Sequence, residues 1–374
     1  MAVTVQGVSS MRFAPVRDAF SRHFTQHGEI GASVGVTFRG ETVVDLWGGW
    51  RDAAKTRLWD HDSVACVWSI SKSVTAICFA MIVERGLVAY EDRVGRYWPE
   101  FAAAGKAEVT LAMLLSHQAG VTGFSTPAVM ADLFAGDVAA RRLAAQAPFW
   151  EPGTGSGYHP VSLGILATAL FAKIEGRSIQ DFVRDELAGR FGLDLSIGAP
   201  TDNPETVAEM IPVPGEPQAL FAHDSRAREA ADNPPLDPAV ANTAAFRSAD
   251  LCAVNAFSNG RSLAQLYSLF MGRRTDRLAL VSGETFAEAT RPRAEGIDLV
   301  RGVFLRWSAG FQLNANELYG PNPDVILHTG FGGTFSLADP VGEVTLSYVP
   351  NRLGDLYDRE PRRLGLVKAL YQSL

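Results

Sequence analysis

Trp68-Ser69-Ile70-Ser71-Lys72-Ser73-Val74-Thr75-Ala76 is the stretch on which the reading of this chain turns. Ile70, Val74, Ile77, Met81 and Ile82 fall on one stripe at helical spacing, which predicts a helix beginning near Ser69 with Ser69 and Lys72, at i and i+3, together on another face. That spacing brings a hydroxyl within reach of an amine. A serine hydroxyl is a poor nucleophile at its ordinary pKa and needs a base beside it, which a desolvated lysine supplies once its pKa has fallen. At a helix start the serine's own N–H also points outward unpaired, ready for the oxyanion of a tetrahedral intermediate. Taken alone, Ser-x-x-Lys equally describes a capping serine and a snorkelling lysine. The lysine usage favours chemistry. Five lysines (55, 72, 106, 173, 368) stand among 34 basic residues, only Lys72 follows a serine at this spacing, and it sits inside an apolar helix. Arginine cannot give up its proton, so a buried lysine in an arginine-rich chain asks for a chemical reason.

Two further segments carry reactive groups. Pro152-Gly153-Thr154-Gly155-Ser156-Gly157-Tyr158-His159-Pro160 is a glycine-rich turn running into an apolar helix that starts near Val161. A cation such as Lys72 favours a neighbouring phenolate, so Tyr158 is a candidate to relay protons between Ser69 and a leaving group; a half-packed tyrosine at a helix start is the plainer alternative. Leu327-His328-Thr329-Gly330-Phe331-Gly332-Gly333-Thr334 lies just before a predicted strand. Its glycines let backbone approach a ligand closely, and an edge strand here would offer the Phe331 N–H as a second oxyanion donor, with His328 and Thr329 beside the acyl group. A glycine-rich hairpin with an incidental histidine fits the same residues.

Outward from these motifs, Phe13, Val16, Phe20 and Phe24 predict a helix over 12–27, and the runs 32–38 and 41–47 flank Arg39-Gly40 as a β-hairpin. Trp307 to Leu313, Thr334 to Ala338 and Val344 to Val349 read as three more strands, and Pro361 to Leu374 as a closing amphipathic helix. The middle of the chain is dominated by helical patterns. The expected fold class is α/β (α+β), an antiparallel β-sheet flanked by terminal helices plus a mostly helical inserted domain. The first would be a discontinuous domain of 1–95 and 270–374, the second 96–269. Eight of twenty prolines fall between Pro200 and Pro238, which predicts a long irregular loop, either a wall over a substrate cleft or a surface excursion.

Composition narrows the function. A net charge of −7 with scattered acids steers the chain toward neither nucleic acid nor anionic lipid. The N-terminus shows no charged n-region followed by an apolar h-region, and no apolar run approaches a membrane span, so a cytoplasmic location is expected. Cys66, Cys78 and Cys252 have no metal-ligand spacing and read as packing, and no metal or organic cofactor is implied.

The order and spacing of the three reactive segments resemble the serine β-lactamase and penicillin-recognising superfamily: Ser-x-x-Lys, then a tyrosine or serine motif, then Lys-Thr-Gly or His-Thr-Gly. The similarity is greatest to class C β-lactamases and family VIII carboxylesterases, and it extends to Leu114 to Gly120, Trp150 to Thr154 and Asn259 to Ala264. It implies a β-lactamase/transpeptidase-like fold with the site in a cleft between the helical insertion and the sheet. Ser69 is then the nucleophile, Lys72 the residue that lowers its pKa, and Tyr158 the general base and later the general acid. The N–H groups of Ser69 and Phe331 form the oxyanion hole. His328, Thr329 and Gly330 are implied as substrate-binding residues, with Trp150 and His159 as further candidates; His159 suits holding the turn equally well, and His117 suits a structural role. Tyr158-His159-Pro160 and His328-Thr329-Gly330 replace the asparagine and lysine that seat a β-lactam in class C enzymes, so the resemblance points to a carboxylesterase acting on a small-molecule ester. A β-lactamase, a D-alanyl-D-alanine peptidase, an acyltransferase or a non-catalytic relative are the alternatives. The absence of Gly-x-Ser-x-Gly argues against a nucleophile elbow.

Overall fold

A computed structural model describes residues 3–212, 221–222, 224–272, 279–354 and 360–374. Strand β1 (Gln6–Ser9) leads into helix α1 (Ala14–Gln26) and the hairpin of β2 (Gly31–Phe38) and β3 (Glu41–Gly49). Arg39 and Gly40 both take positive φ, 52° and 86°, as a two-residue hairpin turn of matching twist requires, so the predicted hairpin stands. After β4 (Ala65–Cys66) the chain enters α2 (Ser71–Glu84), then a helical stretch that includes α3 (Ser162–Glu175). Next come β5 (Leu195–Ile197), β6 (Ala256–Ser258) and α4 (Gly260–Phe270). The C-terminal part supplies β7 (Ala294–Ile297), β8 (Phe304–Trp307), β9 (Gln312–Leu313), β10 (Ile326–Thr329), β11 (Phe335–Asp339), β12 (Val344–Pro350) and α5 (Pro361–Gln372).

Nine strands form one antiparallel sheet in the order β1-β3-β2-β12-β11-β10-β9-β8-β7, drawing its strands from both ends of the chain. Helices α1 and α5 pack together over one face, and the aromatic and aliphatic side chains between them and the sheet form one apolar core. Helices α2 and α4 belong to the larger core on the other side, with α4 lying directly on β2 and β12. The α4 contact is backbone on backbone. A Cβ on Gly35 would stand 2.4 Å from the Gly260 carbonyl oxygen, and one on Gly260 would stand 2.8 Å from the Gly35 nitrogen, so only a glycine pair admits this approach. Asn259 caps the helix by accepting from the Ser262 N–H at 2.9 Å.

Three expectations are revised. Helix α2 is buried on every side from Ser71 to Ile82, where the sequence pattern suggested a single apolar stripe. A helix apolar or small all round lies inside a domain, not on its surface. The run Trp307 to Leu313 is two strands, broken where Gly310 (φ 96°) turns against α2; a Cβ there would stand 2.5 Å from the Ala76 Cβ. β5 and β6, from the stretch read as mostly helical, join β4 of the N-terminal region in a small antiparallel sheet. Within the proline-rich segment, residues 213–220 and 223 lie outside the described residues, while Arg226–Ala231 is helical and Phe221 packs near Tyr158.

Candidate active site

Ser69 stands two residues before α2, on a tight turn rather than in the helix. Trp68 takes φ 50°, a conformation costly for a residue with a bulky side chain. Its buried indole, packed between Phe246 and Phe331, holds it there. The Ser71 hydroxyl donates to the Trp68 carbonyl and accepts from the Ala256 N–H at 2.8 Å, which pins the same turn to β6. Among the described residues no acceptor is within hydrogen-bond geometry of the Ser69 N–H.

Lys72 lies one turn into α2 and is buried. Its Nζ is 3.1 Å from Ser69 Oγ, 2.7 Å from the Pro160 carbonyl oxygen and 3.1 Å from that of Ala253. Burial lowers its pKa from the ordinary lysine range to about 7. The second partner of the serine is Tyr158, whose Oη is 2.7 Å from Ser69 Oγ. Burial dominates here too and raises the phenol to about 12, outweighing the hydrogen bond to Ser69 and the nearby Arg301. The expectation that a cationic lysine would favour the phenolate therefore reverses: the phenol stays protonated, because removal from water costs the charged form more than its neighbours return.

The glycine-rich turn delivers Tyr158 through contacts that sequence reasoning missed. The Tyr158 N–H donates to Asp298 Oδ1 at 2.9 Å, and that carboxylate oxygen also accepts from the N–H groups of Val300 and Arg301. The phenol ring stacks on Trp307 (centroids 5.9 Å, planes 8° apart) and meets His117 edge-on. Asp298 and Trp307 had no local motif; each acts through a contact to Tyr158, 140 and 149 residues away in sequence.

The third segment is placed differently from expectation. Strand β10 is not an edge strand but lies between β9 and β11. Because β9 pairs only with Ile326 and Leu327, His328 and Thr329 run on beyond it. The following turn closes against the residues that precede Ser69: a Cβ on Gly330 would stand 2.6 Å from the Val67 carbonyl oxygen and 3.4 Å from the Trp68 Cβ. The N–H of Phe331, like that of Ser69, has no hydrogen-bonded acceptor among the described residues.

His328 is buried beside both Trp307 and Tyr158, with ring centroids 5.9 and 6.2 Å away. Its Nδ1 is 2.8 Å from the Thr329 carbonyl oxygen, so that nitrogen carries the proton and Nε2 is left as a buried acceptor with no hydrogen-bond partner among the described residues. Burial lowers its pKa to about 3. His159 has neither nitrogen to offer a ligand. Nδ1 donates to the Gly157 carbonyl oxygen, Nε2 accepts from the Val121 N–H at 3.0 Å, and burial holds the ring neutral with a pKa of about 4. It braces the turn, and so does Trp150, whose Nε1 donates to the Gly155 carbonyl oxygen at 3.2 Å. Of the substrate-binding candidates, Gly330 lies against the Val67-Trp68 turn that precedes Ser69 and His328 lies beside Tyr158, whereas His159 and Trp150 brace the glycine-rich turn. His117 is buried beneath them and accepts from the His159 N–H at 3.1 Å.

Comparison with known proteins places the chain in a family. The Beta-lactamase family profile matches residues 16–370. The chain belongs to that family. Its relatives include Esterase/beta-lactamase LipL of Mycobacterium tuberculosis, 32% identical over 367 residues, or 93% of this chain and 83% of LipL. Among solved structures, a family VIII carboxylesterase is similar with a TM-score of 0.92 and 39% identity over 99% of this chain and 100% of its own. A penicillin-binding protein homolog from Caulobacter crescentus shares the TM-score of 0.92 at 36% identity, with 99% and 100% covered. As a Beta-lactamase family member the chain is a serine hydrolase of this α/β fold with an antiparallel sheet. Among the described residues no group of His, Cys, Asp or Glu is arranged to hold a metal ion, and no helix is long and apolar enough to cross a membrane.

Proposed function

We propose that this chain is a carboxylesterase that cleaves small to medium acyl esters through an acyl-enzyme on Ser69. The observation that carries the reading is the meeting of Ser69 Oγ with a buried Lys72 at 3.1 Å and a buried Tyr158 at 2.7 Å. Two of the three groups around Lys72 Nζ are carbonyl oxygens, which can only accept. A neutral amine gives its two N–H bonds to them and turns its lone pair to the serine hydroxyl, while Tyr158 donates to Ser69 Oγ.

On attack, the Ser69 proton passes to Lys72 and the new C–O bond leaves an oxyanion on the N–H groups of Ser69 and Phe331. Collapse breaks the bond to the alkoxide, which takes the Tyr158 proton; Lys72 restores that proton, and both groups return neutral. Water then attacks the acyl group with the same two residues in the same roles. The likeness of LipL and of the family VIII carboxylesterase supports an ester as substrate.

His328 bears on substrate class. Where class C enzymes carry an ammonium, this chain carries a buried, neutral imidazole, which offers no counter-ion to a β-lactam carboxylate. Purified protein assayed with p-nitrophenyl acetate, butyrate and octanoate beside nitrocefin is expected to favour an ester by at least about a hundredfold in kcat/KM, or about 3 kcal/mol. A fluorophosphonate should add to Ser69, as read by peptide mass spectrometry. Preference for nitrocefin would transfer the assignment to β-lactamase, and labelling at another residue would remove Ser69 from the mechanism.

The pH profile follows from the lysine. Only the neutral amine accepts a proton, so kcat/KM should fall as pH drops through about 7, with the slope of a single ionisation. His159 and His328 titrate far below this window, at about 4 and about 3, and Tyr158 far above it, at about 12. Rates corrected for spontaneous hydrolysis should be level from about pH 8 to 10. A profile still flat at pH 5 would contradict a neutral lysine as base.

A further inference from the structure

The turn that carries the Phe331 N–H is held from behind by a buried charge. The Gly332 carbonyl oxygen accepts from the Gly354 N–H at 2.8 Å and from Arg362 Nη2 at 2.9 Å. Arg362 is the second residue of α5 and is buried, as are Glu29 and Glu360. Its Nε donates to Glu360 Oε1 at 2.6 Å, its Nη1 donates to Glu29 and, at 3.2 Å, to the Arg352 carbonyl oxygen. The Tyr348 hydroxyl, from β12, donates to the same Glu29 carboxylate. One guanidinium thus ties the turn to the connection before β2, to β12 and to the start of α5.

There is no slack between the arginine and the turn. A Cβ on Gly332 (φ 74°) would stand 2.4 Å from Leu353 Cδ2, and one on Gly333 (φ 108°) would stand 2.8 Å from Arg362 Nη2. On its other side the turn is closed by the Gly330 N–H donating to the Thr334 carbonyl oxygen at 2.7 Å. Buried ionic clusters are poor sources of stability, because apolar side chains of similar volume pack there as well or better. What a planar guanidinium with four of its five N–H groups engaged supplies is direction.

We propose that Arg362 is a positioning residue: through the Gly332 carbonyl it sets the aim of the Phe331 N–H at the tetrahedral oxygen. The proposal rests on the reading that Ser69 is acylated and that Phe331 holds the oxyanion. An N–H aimed in this way acts on the transition state and not on ground-state binding, so loss of the aim should lower kcat and leave KM nearly unchanged. A bracing role for stability alone would lower the melting temperature and leave kcat of the folded enzyme intact.

The test is Arg362→Lys, whose single ammonium cannot reach Glu29, Glu360 and the Gly332 carbonyl together, with Glu360→Gln as the milder variant. For folded Arg362→Lys, kcat toward p-nitrophenyl butyrate should fall about tenfold or more, a part of what loss of a whole oxyanion donor costs. Glu360→Gln should show a smaller fall of the same kind. The ratio of rates on an ester and on its thiono analogue should also shrink, since that ratio reads the oxyanion contacts. Folded variants with unchanged kcat and unchanged ratio would overturn the proposal. If neither variant folds, a crystal structure of the wild-type phosphonate adduct decides: the phosphonyl oxygen on the Phe331 N–H with the Arg362 to Gly332 contact kept supports it, and a broken contact overturns it. Ser69→Ala as a control separates the two levels. Full turnover by that variant sinks the serine mechanism itself, whereas a dead Ser69→Ala beside an unimpaired Arg362→Lys sinks only the role of the arginine.

Discussion

Replacement of Ser69 by alanine is expected to lower kcat for p-nitrophenyl butyrate by about 10⁴-fold or more, because in the proposed mechanism Lys72 and Tyr158 move protons only for the Ser69 hydroxyl and cannot act without it. The residue is part-exposed and, among the described residues, its hydroxyl hydrogen-bonds only with Lys72 and Tyr158, so the variant should fold with an essentially unchanged melting temperature. The Ser69 N–H survives the substitution and so does that of Phe331. Carbonyl polarisation therefore persists, and a trace of direct attack by water is the expected remainder. The decisive measurement pairs turnover with fluorophosphonate labelling: both should vanish together. Turnover within tenfold of wild type would mean that another group attacks the ester, and the close approach of Lys72 and Tyr158 to the hydroxyl would need another purpose.

How much of this was legible in the sequence depended on whether the cause was local. The Arg39-Gly40 hairpin was legible because two adjacent residues in the left-handed region define the turn by themselves. The i, i+3 relation of Ser69 and Lys72 was legible for the same reason. The full burial of α2 was not, since Ser71, Ser73, Thr75 and Ala76 fill a tight interior by being small, and hydropathy periodicity records small residues weakly. The internal position of β10 depends on β9, a strand of two residues that no pattern announces. Tyr158 was found through its turn, but its pKa was read in the wrong direction because burial, which outweighed every neighbouring charge, is a tertiary property. Asp298 and Arg362 lay beyond reach altogether. Asp298 looked like one acid among 41 Asp and Glu residues and Arg362 like one cation among 34 Lys and Arg residues until the fold set the first on the Tyr158 N–H and the second on the Gly332 carbonyl.

Replacement of Lys72 separates its chemistry from its burial. In Lys72→Arg the positive charge and donors toward the Pro160 and Ala253 carbonyls are retained, but a guanidinium has no lone pair to offer at any working pH. The expected result is a fall in kcat of about 10³-fold with loss of the ionisation near pH 7, and rates near wild type would exclude the lysine as base. Lys72→Met should be equally inactive and adds a stability test. The lysine titrates at about 7 in the folded chain but near 10.4 when unfolded, so protons bind the unfolded state more tightly. For a depressed base the cost to folding is full below about pH 7 and fades as pH rises toward 10. In Lys72→Met the two carbonyls lose their donor at every pH, a constant penalty of about 1–3 kcal/mol each. That penalty offsets the removed charge cost by an amount independent of pH, so the sign at one pH decides little. The difference in unfolding free energy between variant and wild type should nevertheless shift by about 3 kcal/mol in favour of wild type between pH 7 and pH 10. Denaturant titrations at the two pH values measure that shift directly. A difference that stays constant would mean that Lys72 keeps an ordinary lysine pKa in the folded protein, and the proton would then have to leave Ser69 by another route.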